Sequence, residues 1–395
     1  MDHPLLTAAA EALGIRLQAR GDAALLDRPR RMLLLSRAEK FPQPDAPWLL
    51  DTLTAVQRCH EQHEVLVTGL DRLAYDAARF AAAERDLPII VVASQPLADD
   101  AELNSLTRRH LVVSPRDPVP EALAPRQRDR VIAQLCDRAW SIHVRKAGVM
   151  SELAEQLRAR QVPVEPFATS KPPKQALQLD NSPAPPESLL DVSALSEWPY
   201  LTHFTRDPDA PWPGEKRADY LRWLCGGAGS PRRDAFATLC RMLDERRIRA
   251  CGRLIPDRAP MVCFTARPAH TVGALRRWRR GLVRWNFTPY GLCLPRAQLI
   301  KFGAKPVTYA ARDALDDAPA AQRPFMQLDR SADHDWTREE EWRIPGDVAL
   351  DACDPGALVA CVPHPAEARE LHARYRLRSI VLPPTESQSA GGRRV

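Results

Sequence analysis

The stretch from residue 31 to 166 constrains the fold more than any other part of the chain. Short apolar runs alternate there with segments of helical periodicity. The runs are RMLLLS (31–36), EVLVTGL (64–70), PIIVVAS (88–94), HLVVSP (110–115) and WSIHVR (140–145). They are rich in Val, Ile and Leu and bounded by turn residues, the pattern of strands buried on both faces. The segments between them predict helices over 46–62, 71–86, 125–138 and 148–161. Strand and helix alternating at this spacing give βαβ units and a doubly wound parallel sheet, an α/β fold. Residues 1–30 precede it, with a leading amphipathic helix expected over 1–20.

Residues 167–197 break the pattern. The stretch ATSKPPKQALQLDNSPAPPESLLDVSALSEW has no surviving periodicity and is dense in Pro and Ser, so it reads as a linker. A chain of 395 residues is long for one domain, and a second unit is expected over 198–383. Strands are expected at YLTHFT, APMVCFTA, YGLCLP, AKPVTYA, EEEWRI and RSIVLP, and helices at 216–226, 232–246 and ARELHARY. That order predicts an α+β domain. The tail from 384 to 395 is expected to be disordered.

Composition excludes several classes. The start lacks a basic segment followed by an apolar one, and no run of about 18 apolar residues occurs, so neither a signal peptide nor a membrane span is expected. The 9 Cys are scattered and form no CxxC, which suits a reducing cytoplasm. No paired Cys/His spacing is present, and no metal is expected. GxSxG, Walker A and kinase signatures are absent. The net charge of +6 is compatible with a nucleic-acid partner.

Within 31–165, four ordered segments resemble the Rossmann-like domain of DNA-processing protein A (DprA) and the wider SLOG-type superfamily with lysine-decarboxylase-like nucleotide-binding proteins. They are Ser36-Arg37, TGLDRLAYDAA (68–78), RDRVIAQLCDRAWSIHV (128–144) and KAGVMSELAEQLRARQVPV (146–164). The resemblance implies a nucleotide or nucleic-acid ligand. Glycines in such loops let backbone N–H groups approach a phosphate at a helix N-terminus. Gly69 and Gly148 are the expected loop positions, with Ser36, Arg37 and Arg128 as anion contacts. The plainer alternative makes Gly69 a tight turn and the arginines surface charges.

The second unit carries LTHFTR (201–206), VCFTARP (262–268), YGLCLPRAQLIKFGAKPVTY (290–309) and DWTREEEWR (335–343). This ordered set resembles the AbiGi-type abortive-infection proteins, which implies a role in phage defence. Strand alternation over 339–344 would put Glu340, Trp342 and Ile344 on one face and Glu339, Glu341 and Arg343 on the other, in steps of about 7 Å. An Arg beside carboxylates keeps them oriented, which suits a base or a ribose contact. His203, Tyr290 or Tyr309, and Glu341 also resemble the His-Tyr-Glu set of ADP-ribosyltransferases, which implies NAD, or another nucleotide, as cofactor. The plainer alternatives are a core histidine, core tyrosines and a surface ion pair between Glu339 and Arg343.

LRRWRRGLVRW (275–285) is the strongest basic and aromatic segment. Arg276, Arg277, Arg279 and Arg280 could neutralise phosphates and Trp278 could stack on bases. An amphipathic helix with Leu275, Trp278 and Leu282 inward is the favoured reading. The sequence thus supports a sensing first unit with an effector second unit. The alternative is a non-enzymatic nucleic-acid-binding or antitoxin-like module.

Overall fold

The computed structural model describes residues 3–35, 42–97, 109–167, 182–208, 210–276, 278–279, 284–331 and 334–382. Two compact units divide the chain. The first is residues 1–174 with 215–231, and the second is 175–214 with 232–395.

The first unit is built on a seven-stranded sheet. Its strands are β1 (Leu17–Gly21), β2 (Arg30–Leu35), β3 (Val65–Gly69), β4 (Ile89–Val92), β5 (His110–Pro115), β6 (Arg138–Ile142) and β7 (Val164–Pro166). They lie in the order β1-β5-β4-β3-β2-β6-β7. All pairs are parallel except β1 with β5. The helices are α1 (Pro4–Leu13), α2 (Pro47–Glu61), α3 (Leu73–Ala83), α4 (Ala124–Leu135) and α5 (Val149–Ala159).

Side chains alternate along each strand, so each apolar run feeds two cores. Leu33, Leu35, Leu66, Ile89, Val91 and Ile142 pack with α2 and α3. Met32, Leu34, Val65, Val67, Ile90 and Val92 pack with α1, α4 and α5. Burial on both faces explains why the strands read as continuous apolar runs. A further helix, α6 (Arg217–Leu224), comes from beyond the linker, and its Tyr220, Leu221 and Leu224 join the α2–α3 core. Arg217 of α6 ion-pairs with Asp76 of α3.

The helix expected over 1–20 is shorter. Gly14 adopts a left-handed φ of 63° and closes α1 at Leu13. Residues 17–21 then form an antiparallel edge strand against β5.

The second unit has its own seven-stranded sheet, in the spatial order Lys305–Pro306, Glu341–Pro345, Met261–Thr265, Tyr200–Phe204, Gly291–Pro295, Val359–Val362 and Arg378–Val381. Only the last two are parallel, and the helix Pro365–Tyr375 connects them. One face packs Leu201, Val262, Phe264, Leu292 and Ile344 against α7 (Ala235–Asp244) and the helix Pro365–Tyr375. The other carries Tyr200, Phe204, Cys293, Val359 and Cys361. From the linker, Leu190, Val192 and Leu195 pack on this second face, and Leu190 N–H donates to Ser379 O. The tail from 384 to 395 lies outside the described residues. Among the described residues no helix is long and apolar enough to cross a membrane.

Candidate functional site

In the first sheet, the chain runs outward from β2 through β3, β4 and β5, then returns to place β6 on the other side of β2. The strand order therefore reverses between β2 and β6. Open α/β sheets bind ligands in the crevice outside the strand carboxyl ends at such a point. A cleft of about 460 Å³ lies there, lined by Leu35, Asp71–Ala74, Arg145 and Ala147–Met150. Two helix N-termini open onto it, α3 at Leu73 and α5 at Val149, and neither has a side-chain cap. Uncapped first-turn N–H groups and the helix dipole favour an anion. Gly148 holds a φ of 130°, in a region that disfavours side chains, and space for a Cβ there is open. Arg72 and Arg145 add positive charge. Asp71, with φ 65°, accepts a hydrogen bond from Ser94 Oγ at 2.8 Å. Its carboxylate suits a sugar hydroxyl rather than a phosphate.

A larger cavity of about 600 Å³ lies between α1 and the end of β5. Its Arg16 and Asp117 pair with each other at 2.6 and 2.8 Å. That leaves little charge for a ligand, and the smaller cleft is the better site.

Of the anion contacts expected from sequence, Gly148 lines the cleft, while Ser36 and Arg37 lie outside the described residues. Arg128 does not serve as an anion contact. It is buried, donates to Leu70 O at 2.6 Å, and holds Asp129 Oδ1 through Nε and Nη2 at 3.0 and 2.9 Å. Gly69 is a packing glycine. A Cβ there would lie 2.9 Å from Arg128 Cδ and the Tyr75 ring. Arg128 and Tyr75 thus prop the β3–α3 turn from beneath.

In the second unit, Glu341 and Arg343 share a sheet face, as alternation requires. Glu341 Oε1 and Oε2 accept from Arg343 Nε and Nη2 at 2.9 and 3.0 Å, the bidentate geometry of a strong pair. Tyr309 adjoins them, its hydroxyl accepting the Glu341 backbone N–H at 2.8 Å. The strand begins at Glu341, however, not at 339. Residues 336–339 form a 3-10 turn and Glu340 is left-handed at φ 45°. Glu340 turns outward and pairs with Arg267 at 2.9 Å.

Glu339 is brought back beside Glu341 by this kink. Burial raises its pKa, countered by His334 Nε2 at 3.1 Å and Asn286 Nδ2 at 3.3 Å. Arg206 faces the same carboxylates. Burial lowers its pKa, while Cys263, Glu339 and Glu341 act to raise it. Arg206 is exposed, and its Nη2 donates to Asn286 O at 3.2 Å. Burial and Glu341 push the Cys263 thiol up to about 12, so it stays protonated and is a poor nucleophile.

His203 and Tyr290 do not join this cluster. Thr202, Thr265 and Glu341 are in register across three strands, so His203 points to the opposite face, where its ring lies 5.8 Å from Phe264. Its Nδ1 lies 2.8 Å from Cys263 O, and burial lowers its pKa to about 4. Tyr290 is a core residue whose hydroxyl donates to Glu367 at 3.0 Å. Burial pushes the Glu367 carboxyl up to about 7, although Tyr290 and Arg232 pull it down.

A carboxyl raised on folding binds more protons folded than unfolded. Stability is therefore lost as pH rises from about 4.5 to about 7. Replacing Glu367 by Gln should remove that slope. Urea midpoints of Glu367→Gln should match wild type near pH 4.5 and exceed it at pH 8.

The described part of the basic segment is not an α-helix. Trp278–Arg279 pairs with Arg284–Trp285 as an antiparallel ladder. The Arg276 guanidinium stacks 4.3 Å from Trp285 and that of Arg279 4.2 Å from Trp336. Those rings are engaged within the unit. Arg277 and Arg280 lie outside the described residues.

No protein-family model and no curated protein matches this chain. Solved structures that resemble part of it include two DprA proteins. DprA from Streptococcus pneumoniae matches over 41% of this chain and 56% of its own, at 21% identity and a TM-score of 0.33. DprA from Helicobacter pylori, described for its single-stranded DNA binding mode, matches over 41% and 73%, at 18% identity and a TM-score of 0.32. The chain thus spans little more than half the length of the first. These are remote likenesses, and the site above stands on its own geometry.

The sequence reading missed Asp71, Arg72 and Arg145 at the cleft and Arg206, Asn286 and His334 at the carboxylate cluster. One signal was available: Asp71-Arg72 directly follow one apolar run and Arg145 ends another, which is where strand carboxyl ends must fall.

Proposed function

We propose that the first unit binds a phosphate-bearing nucleotide, free or within a single nucleic-acid strand, in the cleft between β2 and β6. One observation supports this above the others. Two uncapped helix N-termini, Arg72 and Arg145 meet at the switch point of a doubly wound sheet. Phosphate would sit against the first-turn amides at Gly148–Met150 and Leu73–Ala74, and Asp71 would take a ribose hydroxyl.

Calorimetric titration of the full chain with ADP, ATP, NAD and a short oligothymidylate tests this. Micromolar to millimolar binding of at least one is expected. Arg145→Glu should weaken it by about tenfold to a hundredfold, the loss of a charge-assisted contact. A steep salt dependence would assign the ligand to a nucleic-acid strand and a shallow one to a free nucleotide. No binding by any of them at millimolar concentration would overturn the reading.

A second reading places effector chemistry in the second unit. It is favoured by Glu339, raised in pKa by burial, lying beside the Arg-paired Glu341 with Arg206 opposite. Two carboxylates in unlike environments suit acid and base roles. In the phage-defence setting that the sequence motifs imply, the first unit would sense and this cluster would act. The His-Tyr-Glu form of that idea has only Tyr309 beside Glu341 to support it. NAD consumption in the same titrations, lost in Glu341→Gln, is the expected sign of this second reading.

A further inference from the structure

His143 directly follows β6, at the carboxyl edge where the cleft lies, and Arg145 two residues later lines that cleft. Its backbone is left-handed, with φ 48°. Such a conformation is uncommon for a side-chain-bearing residue and tends to occur at functional sites. The Nε2 atom lies 2.7 Å from Asp51 Oδ2 on α2, the helix that follows β2. The pair therefore joins the elements that follow the two strands bordering the switch point.

The two partners differ in exposure. The Asp51 side chain is 6% exposed and that of His143 is 41% exposed. A carboxylate held inside, aiming an imidazole that stays open to solvent, is the arrangement of a base with its orienting group. With Nε2–H donated to Asp51, Nδ1 carries the lone pair. Among the described residues Nδ1 has no hydrogen-bond partner. A pair that served only to tie α2 to β6 would need neither an exposed ring nor a left-handed backbone.

We propose that His143 is a general base and Asp51 its positioning residue, and that the first unit hydrolyses the terminal phosphoanhydride of a nucleoside di- or triphosphate. The proposal rests on nucleotide binding in the adjacent cleft. In the step, His143 Nδ1 takes a proton from water as the water oxygen bonds to the terminal phosphorus. The bond from that phosphorus to the bridging oxygen breaks. The proton on Nδ1 then passes to the released phosphate oxygen, which leaves a nucleotide shorter by one phosphate, inorganic phosphate and neutral His143. Asp51 stabilises the imidazolium between these events. Arg72 and Arg145, on the cleft wall, oppose the charge that builds on the leaving oxygen.

The test measures phosphate release from ADP and ATP and calorimetric binding of the same nucleotides, on the same samples of full-length protein. Wild type should bind and release phosphate. His143→Gln keeps a donor for Asp51 and alters an exposed side chain, so it should fold. It should bind within about threefold of wild type and lose phosphate release by about a hundredfold or more. Asp51→Asn should lower kcat for phosphate release by about tenfold or more while KM stays within about threefold of wild type, because the imidazole is no longer aimed at the attacking water. A merely structural Asp51 would leave kcat unchanged in the folded protein. Binding without phosphate release, or full release by His143→Gln, would overturn the proposal and leave the cleft reading intact. Absence of both binding and release would overturn both.

Discussion

Replacing Arg343 by Met should destabilise the second unit by about 3–5 kcal/mol, as expected for breaking a buried ion pair from one side. The side chain is 2% exposed, and every one of its N–H groups is engaged. Nε and Nη2 hold Glu341, Nη1 donates to Pro324 O at 2.7 Å and Met326 O at 3.0 Å, and Nη2 also reaches Gln327 Oε1 at 3.0 Å. Met fills much of the volume but satisfies none of these acceptors. Glu341 would be left charged and largely buried, beside carbonyls without donors. Lys would fare little better, because an ammonium cannot reproduce the planar fork. Adding Glu341→Gln to Arg343→Met should recover part of the loss, since the stranded charge is then removed. Urea unfolding of the single and double variants measures both effects. A loss below about 1 kcal/mol for Arg343→Met would show that the guanidinium does not hold this edge of the sheet.

Asp129→Ala should destabilise the first unit by a similar amount, about 3–5 kcal/mol. Asp129 is fully buried and gathers three neighbours. It accepts from the Tyr75 hydroxyl at 2.8 Å and from Arg128 Nε and Nη2. Arg72 Nη1 lies 3.0 Å from Oδ2, a charge contact more than an aligned hydrogen bond. Without the carboxylate, the buried Arg128 guanidinium keeps only the Leu70 carbonyl, and the Tyr75 hydroxyl loses its acceptor. Arg72, which lines the cleft, would lose its anchor as well. The same variant should therefore weaken nucleotide binding under conditions where it remains folded. Thermal unfolding followed with and without ligand separates the two effects.

The architecture of the first unit was legible because parallel strands covered on both faces must be apolar at every position. β3 reads VLVTG and β4 reads IIVV, and all of their residues are buried. β1 was not legible. LQARG is half-exposed at a sheet edge, and nothing in its local pattern separates it from the end of the preceding helix. Val359–Val362 was also missed. Four consecutive buried residues show no period, so they signal neither helix nor strand.

The candidate sites were legible only in part, for a related reason. Glu341 and Arg343 are two apart on one strand, so alternation alone put them on one face. Glu339 reached that cluster through a left-handed Glu340, a break that simple alternation does not foresee. Arg128 read as an anion contact because its partners, Asp129 beside it and Tyr75 on another helix, meet it only in the fold. His143 and Asp51 are 92 residues apart, and no local pattern links them.

The central claim is that phosphate-bearing ligands enter the cleft between β2 and β6. Backbone amide NMR during titration with ADP tests it most directly. The amides of Leu73, Ala74, Val149 and Met150 should show the largest shifts, saturating together, and Arg145→Glu should suppress them. Shifts confined to other parts of the chain, or none at saturating ADP, would contradict the account.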